Sequence, residues 1–309
     1  MGSNSHSFNR RDFLKVSTAS VASVFVGSSL LFSSNIKAGD NILSKSILPP
    51  DKRFWYGENI LQFGDWRRPI GEGPFPLAIM IHGGYWRNRV SLDYYGRASE
   101  ALRNLGIATW NIEYRRIGDE GGGYPGTFLD VANAIDFVRS PEFMRLTGNV
   151  VDLNNIIVVG HSAGGHLGLW AASRDKIPQD NELWNPDPLS IKAVVSLAGV
   201  HNLEQASAMQ YSEGVADEFM GGSAKEFPER YKYASPINLL PIKSEVKLIH
   251  GNKDENVPIE ESTEYLEAGG GADNIKLVEI DGADHFHIVD PESEYWNVIE
   301  SLVLEAVKA

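Results

Sequence analysis

The chain has 309 residues, with 28 Lys and Arg against 41 Asp and Glu, a formal net charge of −13, and 42% hydrophobic residues. This composition is that of a globular protein long enough for one large domain, and its acidity disfavours nucleic acid and anionic membrane surfaces as partners. The absence of cysteine excludes disulfides, thiolate metal sites, iron–sulfur clusters and a cysteine nucleophile.

Residues 1–38 have the composition of an export signal. Arg10-Arg11 is followed by an apolar, Ser-rich run over residues 16–32 and by a small-residue sequence that ends at Ala38. The paired arginines resemble the twin-arginine (Tat) motif of bacteria, although Asn9 stands where that motif usually has Ser or Thr. We expect a Tat-type signal peptide, the Tat machinery as partner of the precursor, and a periplasmic or secreted mature protein. The alternative is an uncleaved membrane anchor, for which about 17 apolar residues are short.

Residues 39–309 show the pattern of a single α/β domain. After a turn-rich stretch over residues 39–75, in which we expect two edge strands, short apolar runs alternate with longer helical segments. This rhythm predicts a mostly parallel sheet with helices on both faces. The expected strands are Leu77–Ile81, Ile107–Ile112, Ile156–Val159, Ala193–Leu197, Val246–Ile249 and Ile275–Ile280. The expected helices are Leu92–Leu105, Thr127–Arg139, Gly165–Ser173, Ile259–Glu267 and Pro291–Val307.

Small residues follow the first predicted strand, in the sequence His82-Gly83-Gly84-Tyr85-Trp86. Small residues let backbone amides approach the oxygen of a carbonyl group, as in the His-Gly-Gly motif of esterases and lipases. We expect the amides of Gly83 or Gly84, together with that of Ala163, to bind an oxyanion. His82 is expected to be structural. Trp86 is either a packed anchor of this loop or, with Tyr85, a wall of the substrate pocket.

The sequence Gly160-His161-Ser162-Ala163-Gly164 stands between a predicted strand and a predicted helix. It is a Gly-x-Ser-x-Gly motif in the strand–turn–helix context of a nucleophile elbow. The turn must be sharp, so the neighbours of the serine must be small, and the following helix directs its first amides at developing negative charge. We expect Ser162 to be the nucleophile.

Residues 200–241 interrupt the alternation and contain several large apolar side chains. They form either a connecting loop with a small core of its own or a helical cap that walls the active site, and we favour the cap.

An acid and a base are expected after the nucleophile, each following a strand. Asp254 follows the strand Val246–Ile249, with Glu255 as the alternative acid. His285 is the first histidine after the strand Ile275–Ile280, with His287 as the alternative base. The expected triad is Ser162, His285 and Asp254.

Two further motifs are set aside. Gly121–Gly126 matches G-x-G-x-x-G, but a polar stretch separates it from the preceding strand, which does not suit dinucleotide binding. His285 and His287 stand near two aspartates, but the chain has no H-E-x-x-H, so no metal and no other cofactor is expected.

The motifs His-Gly-Gly-Tyr-Trp, Gly-His-Ser-Ala-Gly-Gly-His-Leu and Gly-Ala-Asp-His-Phe resemble the esterase/lipase and kynurenine formamidase branch of the α/β-hydrolases. The resemblance covers about residues 55–308. It implies the α/β-hydrolase fold and a serine hydrolase acting on a small-molecule ester or amide. An expected exported location favours a carboxylic ester over an aryl formamide. A peptidase and a catalytically silent binding protein are further alternatives.

Overall fold

The computed structural model describes residues 42–46 and 48–308, so the predicted signal peptide over residues 1–38 lies outside the described residues. The strands are β1 (Lys52–Trp55), β2 (Phe63–Arg67), β3 (Phe75–Ile81), β4 (Ala108–Ile112), β5 (Val151–His161), β6 (Ala193–Leu197), β7 (Glu245–Gly251) and β8 (Ile275–Ile280). They form one sheet in the order β1-β2-β4-β3-β5-β6-β7-β8. The pairings of β1 with β2 and of β2 with β4 are antiparallel, and those from β4 to β8 are parallel.

Helices cover both faces of this sheet. They are α1 (Gly96–Asn104), α2 (Gly126–Phe137), α3 (Pro141–Thr147), α4 (Ala163–Ala172), α5 (Leu203–Ala208), α6 (Tyr211–Met220), α7 (Pro228–Ala234), α8 (Glu260–Ala268) and α9 (Trp296–Lys308). In β3, Leu77, Ile79 and Ile81 pack into a hydrophobic cluster with α2 and α4, whereas Ala78 and Met80 pack with α1 and α9. Burial on both faces explains why the strands are apolar throughout rather than alternating.

The six strands predicted from Leu77 onwards are all present, and two strands precede them in residues 39–75 as expected. Only β1 lies at the edge of the sheet, because β2 pairs with β1 on one side and with β4 on the other. β5 begins earlier than predicted, because Val151 already pairs with Phe75 across a register shift. The last helix begins at Trp296 rather than at Pro291, because the Ser293 hydroxyl donates to the carbonyl of His287 and closes a turn there. The helix α3 was not predicted.

Residues 200–241 leave the sheet between β6 and β7 and contain α5, α6, α7 and a 3-10 helix, Pro236–Leu239. Phe219, Met220 and Tyr231 of this segment are buried in the same hydrophobic cluster as α2 and α4. The segment therefore shares the main core of the domain. Among the helices of the described residues, none has the length and hydropathy needed to span a membrane.

Candidate active site

Ser162 occupies a sharp turn between β5 and α4. Its backbone has φ 56° and ψ −120°, a conformation that costs a residue with a side chain about 1–3 kcal/mol. The turn is fixed by neighbouring backbone: the amide of Ser162 donates to the carbonyl of Leu197 at 2.8 Å, and its carbonyl accepts from the amides of Gly165 and His166. Ser162 is thus held at the carboxyl edge of the parallel strands, where it is 2% exposed.

Two glycines of the motif are required by the packing of α4. A Cβ atom on Gly160 would lie 2.2 Å from the carbonyl oxygen of Gly164, and one on Gly164 would lie 2.0 Å from the carbonyl oxygen of Ile81. Both distances are far inside van der Waals contact. The first turn of α4 can therefore approach β3 and β5 only because these positions have no side chain.

Asp254 and His285 are brought together from the loops that follow β7 and β8. Nδ1 of His285 lies 2.6 Å from Oδ2 of Asp254, and Oδ1 of Asp254 accepts hydrogen bonds from the amides of Asn256 (2.8 Å) and Val257 (2.9 Å). The carboxylate is therefore fixed on both of its oxygens. With Nδ1 engaged by Asp254, Nε2 is the nitrogen of His285 that is able to exchange a proton with another group.

The alternative acid and base lie elsewhere. Glu255 is exposed, whereas the side chain of Asp254 is 1% exposed. His287 accepts a hydrogen bond at Nδ1 from the amide of Asp284 at 3.1 Å and lies in its own turn after His285. The arrangement therefore favours Asp254 and His285 over both alternatives.

A second histidine, His250, lies beside the acid and was missed from the sequence. Its Nε2 is 3.4 Å from Oδ2 of Asp254, and its ring also bonds to the Ser262 hydroxyl and to the carbonyl of Val257. Burial alone would raise the pKa of the Asp254 carboxyl, but hydrogen bonds from His250, His285 and the backbone outweigh it and hold that pKa below its ordinary value. The carboxylate therefore stays ionised at neutral pH. The contact of His250 with Asp254 could have been predicted from its position at the end of β7, four residues before Asp254.

The loop after β3 lies against the nucleophile. A Cβ atom on Gly83 would lie 2.8 Å from Cβ of Ser162, so only glycine fits there. The amide of Gly83 is already engaged, since it donates to the Tyr94 hydroxyl at 2.7 Å. Gly84 follows with φ 117°, and the amide of Ala163 is the first of α4, where the helix provides no acceptor. Of the predicted oxyanion amides, those of Gly84 and Ala163 are therefore better candidates than that of Gly83.

The two aromatic residues of this loop have different surroundings. Trp86 is 1% exposed, stacks on Phe219 with ring centroids 4.7 Å apart, and donates from Nε1 to Nδ1 of His166 at 3.1 Å. These contacts are those of a packed anchor rather than of a pocket wall. The Tyr85 hydroxyl donates to the carbonyl of Asn256 at 2.6 Å, so Tyr85 connects this loop to the acid loop.

His82 has the surroundings of a structural residue. Its Nε2 lies 3.0 Å from Oε1 of Glu113, and its ring stacks on Tyr114 with centroids 4.5 Å apart. Both ring nitrogens have partners, because Nδ1 bonds to the carbonyl of Gly83.

The segment over residues 200–241 contacts the loop after β3 and the loop before α2 through α6. Arg87 donates from Nε to Glu218 at 2.8 Å, and the amide of Tyr124 donates to the carbonyl of Phe219 at 2.9 Å. A cavity of about 330 Å³ lies between Tyr211 and Ser212 of α6 and residues of the acid loop, including Asp254. The helix α6 therefore stands beside the loop that holds Asp254 and the loop of the expected oxyanion amides.

Comparison with known proteins places this chain among esterase-like sequences. The sequence model of the BD-FAE family matches residues 67–268. Esterase LipC of Mycobacterium tuberculosis is 29% identical over 250 residues, which cover 77% of this chain and 60% of LipC. Kynurenine formamidase avaC of Aspergillus versicolor is 26% identical over 222 residues, which cover 60% of this chain and 73% of avaC. The chain thus spans less than two thirds of the length of LipC.

The fold also matches a solved structure. The propionate-bound esterase Est2 of Thermogutta terrifontis superposes with a TM-score of 0.66 over 83% of this chain and 93% of Est2, at 20% sequence identity. The chain has the α/β-hydrolase fold that the sequence predicts: a mostly parallel sheet of eight strands in the described residues, with helices on both faces.

Proposed function

The chain belongs to the BD-FAE family, and from this membership and the geometry of the site we propose that it is a serine hydrolase that cleaves small carboxylic esters. The observation that carries the proposal is the pair of Asp254 and His285, joined at 2.6 Å at the same edge of the sheet as the strained turn of Ser162. Along the chain, the expected nucleophile follows β5, the expected acid follows β7 and the expected base follows β8. This is the order in which the three residues occur in this fold.

In the proposed mechanism, Ser162 attacks the ester carbonyl while Nε2 of His285 takes the proton of its hydroxyl. Asp254 holds the imidazole by Nδ1 and stabilises its charged form, since the depressed pKa of the carboxyl keeps it ionised. The amides of Gly84 and Ala163 stabilise the oxyanion. His285 then protonates the leaving alcohol, and water, deprotonated by the same ring, hydrolyses the acyl-enzyme.

An ester is proposed as the substrate because LipC is named an esterase. The name of avaC supports a second candidate, an aryl formamide, for which the same three residues would act. Both substrates form a tetrahedral intermediate with one oxyanion, so the site geometry accommodates either. No metal or organic cofactor enters the mechanism.

We propose that residues 200–241 act as a cap that limits substrate size. The support is the contact of α6 with Arg87, which lies in the loop of the expected oxyanion amides, and with Tyr124, which lies just before α2.

The test is hydrolysis of p-nitrophenyl acetate and butyrate beside N-formylkynurenine, with protein of residues 39–309, its Ser162→Ala variant and a Ser173→Ala control. Ser173 is a buried serine just after the same helix, bonded to the carbonyl of Leu169 and away from the site. Ester turnover that is lost in Ser162→Ala and kept in Ser173→Ala supports the proposal. Faster turnover of the formamide would replace the ester by the second candidate, and equal activity of Ser162→Ala and wild type would refute the mechanism.

We further propose that residues 1–38 direct export through the Tat machinery. The support is the Arg10-Arg11 pair, the apolar run and Ala38. Expression of the full chain in a bacterium with an active Tat system should give processed protein in the periplasm, and replacing both arginines by lysine should retain the precursor in the cytoplasm. Export of the double variant at the wild-type level would refute this proposal.

A further inference from the structure

A series of buried hydrogen bonds passes beside Ser162 and joins two functional loops. The amide of Gly83 lies 2.7 Å from the Tyr94 hydroxyl, that hydroxyl lies 2.7 Å from Nδ1 of His161, and Nε2 of His161 lies 3.0 Å from the carbonyl oxygen of His285. Tyr94 is 7% exposed and His161 is 1% exposed. This series of hydrogen bonds therefore begins in the loop of the expected oxyanion amides and ends in the loop of the expected base.

The two ends of this series of bonds, together with the charge state of His161, determine the position of each proton between them. The amide of Gly83 can only donate and the carbonyl of His285 can only accept. His161 must therefore carry a proton on Nε2. Burial, followed by the nearby His285, lowers the pKa of His161 well below its ordinary value, so the ring is neutral and Nδ1 carries no proton. The Tyr94 hydroxyl therefore accepts from the amide of Gly83 and donates its own proton to Nδ1 of His161.

We propose that Tyr94 and His161 are positioning residues that fix the oxyanion loop and the His285 backbone relative to Ser162. This inference rests on the proposed function. His161 immediately precedes the nucleophile, and Tyr94 contacts Gly83, whose Cα lies against Ser162. The loop of Gly83 is thus held by the Tyr94 hydroxyl, and the loop of His285 is held by Nε2 of His161.

Neutrality of His161 has a second consequence for the same reaction. The ring centroids of His161 and His285 are only 4.6 Å apart. His285 becomes positively charged when it takes the proton of Ser162, and a cation on His161 would oppose that charge. Because the Tyr94 hydroxyl donates to Nδ1, it favours the neutral form of His161 while His285 is charged.

The first test compares Tyr94→Phe with Tyr95→Phe. Both remove one buried hydroxyl from adjacent tyrosines of one 3-10 helix, but the Tyr95 hydroxyl bonds only to the carbonyl of Val159, at 3.4 Å. Tyr94→Phe should lower kcat for p-nitrophenyl acetate on the order of tenfold to a hundredfold, as expected when reacting groups are misplaced, with little change in KM. Tyr95→Phe should keep the wild-type kcat. Equal kcat values in the two variants, with similar melting temperatures, would overturn the proposal.

The second test separates the two bonds of His161. In His161→Gln the side-chain nitrogen can take the place of Nε2 and still donate to the carbonyl of His285, whereas in His161→Asn the oxygen can take the place of Nδ1 and still accept from Tyr94. We expect each variant to retain more of the wild-type kcat than His161→Ala, which loses both bonds. If His161→Ala equals the two amides in kcat, His161 has no positioning role.

The third test does not depend on activity. Long-range proton–nitrogen spectra of the histidine rings, with His161 identified by its loss in His161→Asn, should show a neutral ring protonated on Nε2 between about pH 6 and pH 9. A ring protonated on Nδ1, or one that titrates in this range, would overturn the proposal even if Tyr94→Phe fails to fold. A wild-type protein that cleaves neither esters nor formamides but shows this tautomer would refute the proposed function and leave the hydrogen-bonded chain established.

Discussion

Replacing Glu261 by glutamine should change how the stability of the protein depends on pH. Glu261 lies in the first turn of α8, is fully buried, and accepts hydrogen bonds at Oε2 from the amides of His201 (2.6 Å) and Asn202 (2.9 Å). These amides directly precede α5, so the carboxyl joins α8 to the start of the segment over residues 200–241. Burial raises the pKa of Glu261 to about 7, although the two amides oppose the shift.

The sign of the effect follows from that direction. The folded protein holds a proton on Glu261 that an unfolded chain releases near its ordinary pKa of 4.5. The contribution of this proton to the free energy of unfolding is therefore fully present below about pH 4.5. It decreases as the pH rises and is lost when the pH passes about 7. A difference of roughly 2.5 pKa units corresponds to on the order of 3 kcal/mol. Glutamine accepts the same two backbone bonds and has no proton to release, so the variant should not show this loss.

The assay is urea unfolding of wild type and Glu261→Gln at several pH values between about 4.5 and 8. The difference in free energy of unfolding between the two proteins isolates Glu261, because every other titrating group is common to both. It should shift by roughly 3 kcal/mol in favour of glutamine between about pH 4.5 and pH 7.5. Glu260→Gln, at an exposed position on the same helix, controls for the loss of one charge. A difference that stays constant across this range would refute the reasoning.

Three further predictions concern the site and its support. Asp254→Asn should lower kcat for p-nitrophenyl acetate by about 10⁴-fold with little change in KM, because the amide no longer fixes the imidazole tautomer; a loss below tenfold in steady-state assays would contradict this. Gly164→Ala should destabilise the protein by at least about 3 kcal/mol in urea unfolding, because the new Cβ would lie 2.0 Å from the carbonyl oxygen of Ile81. Trp86→Phe should cost about 1–3 kcal/mol by the same measurement, since Nδ1 of buried His166 loses its donor, and should leave the preference for acyl-chain length unchanged. A changed preference would mean that Trp86 is a pocket wall.

The proximity of Asp254 and His285 could be predicted from the sequence because each lies in the loop that follows a strand. Parallel strands present their carboxyl ends at one edge of the sheet, so three polar residues that follow β5, β7 and β8 are brought to that edge without knowledge of side-chain packing. The sequence alone left His287 open beside His285. Only the 2.6 Å contact with Asp254 favours His285.

Other parts of the site depend on long-range packing and carry no local pattern. Tyr94 meets His161 across 67 positions of the chain, and Trp86 meets His166 across 80. Trp86, His161 and His166 lie in motifs of the site, but these motifs do not specify which distant side chain each of them contacts. The engagement of the Gly83 amide was therefore not predictable, and the two interpretations of Trp86 could not be separated. The helix α3 is a different case, because its signals are local: Ser140 caps its first turn, Pro141 occupies its first position and Gly148 ends it in a left-handed conformation.

The histidines show why geometry is needed to identify a base. Six of the seven histidines in the described residues are buried, namely His82, His161, His166, His201, His250 and His285. In the first five, both ring nitrogens are bonded to protein groups, so proton transfer to or from a substrate would break an existing hydrogen bond.

His285 combines two properties that these five do not share. Its Nδ1 contacts a carboxylate, as Nε2 of His82 contacts Glu113, but His82 uses its other nitrogen to bond the carbonyl of Gly83. Nε2 of His285 has no hydrogen-bond partner among the described residues. A general base needs both a partner that stabilises its cation and a nitrogen that is not committed to the fold. Among the buried histidines of the described residues, His285 alone meets both requirements.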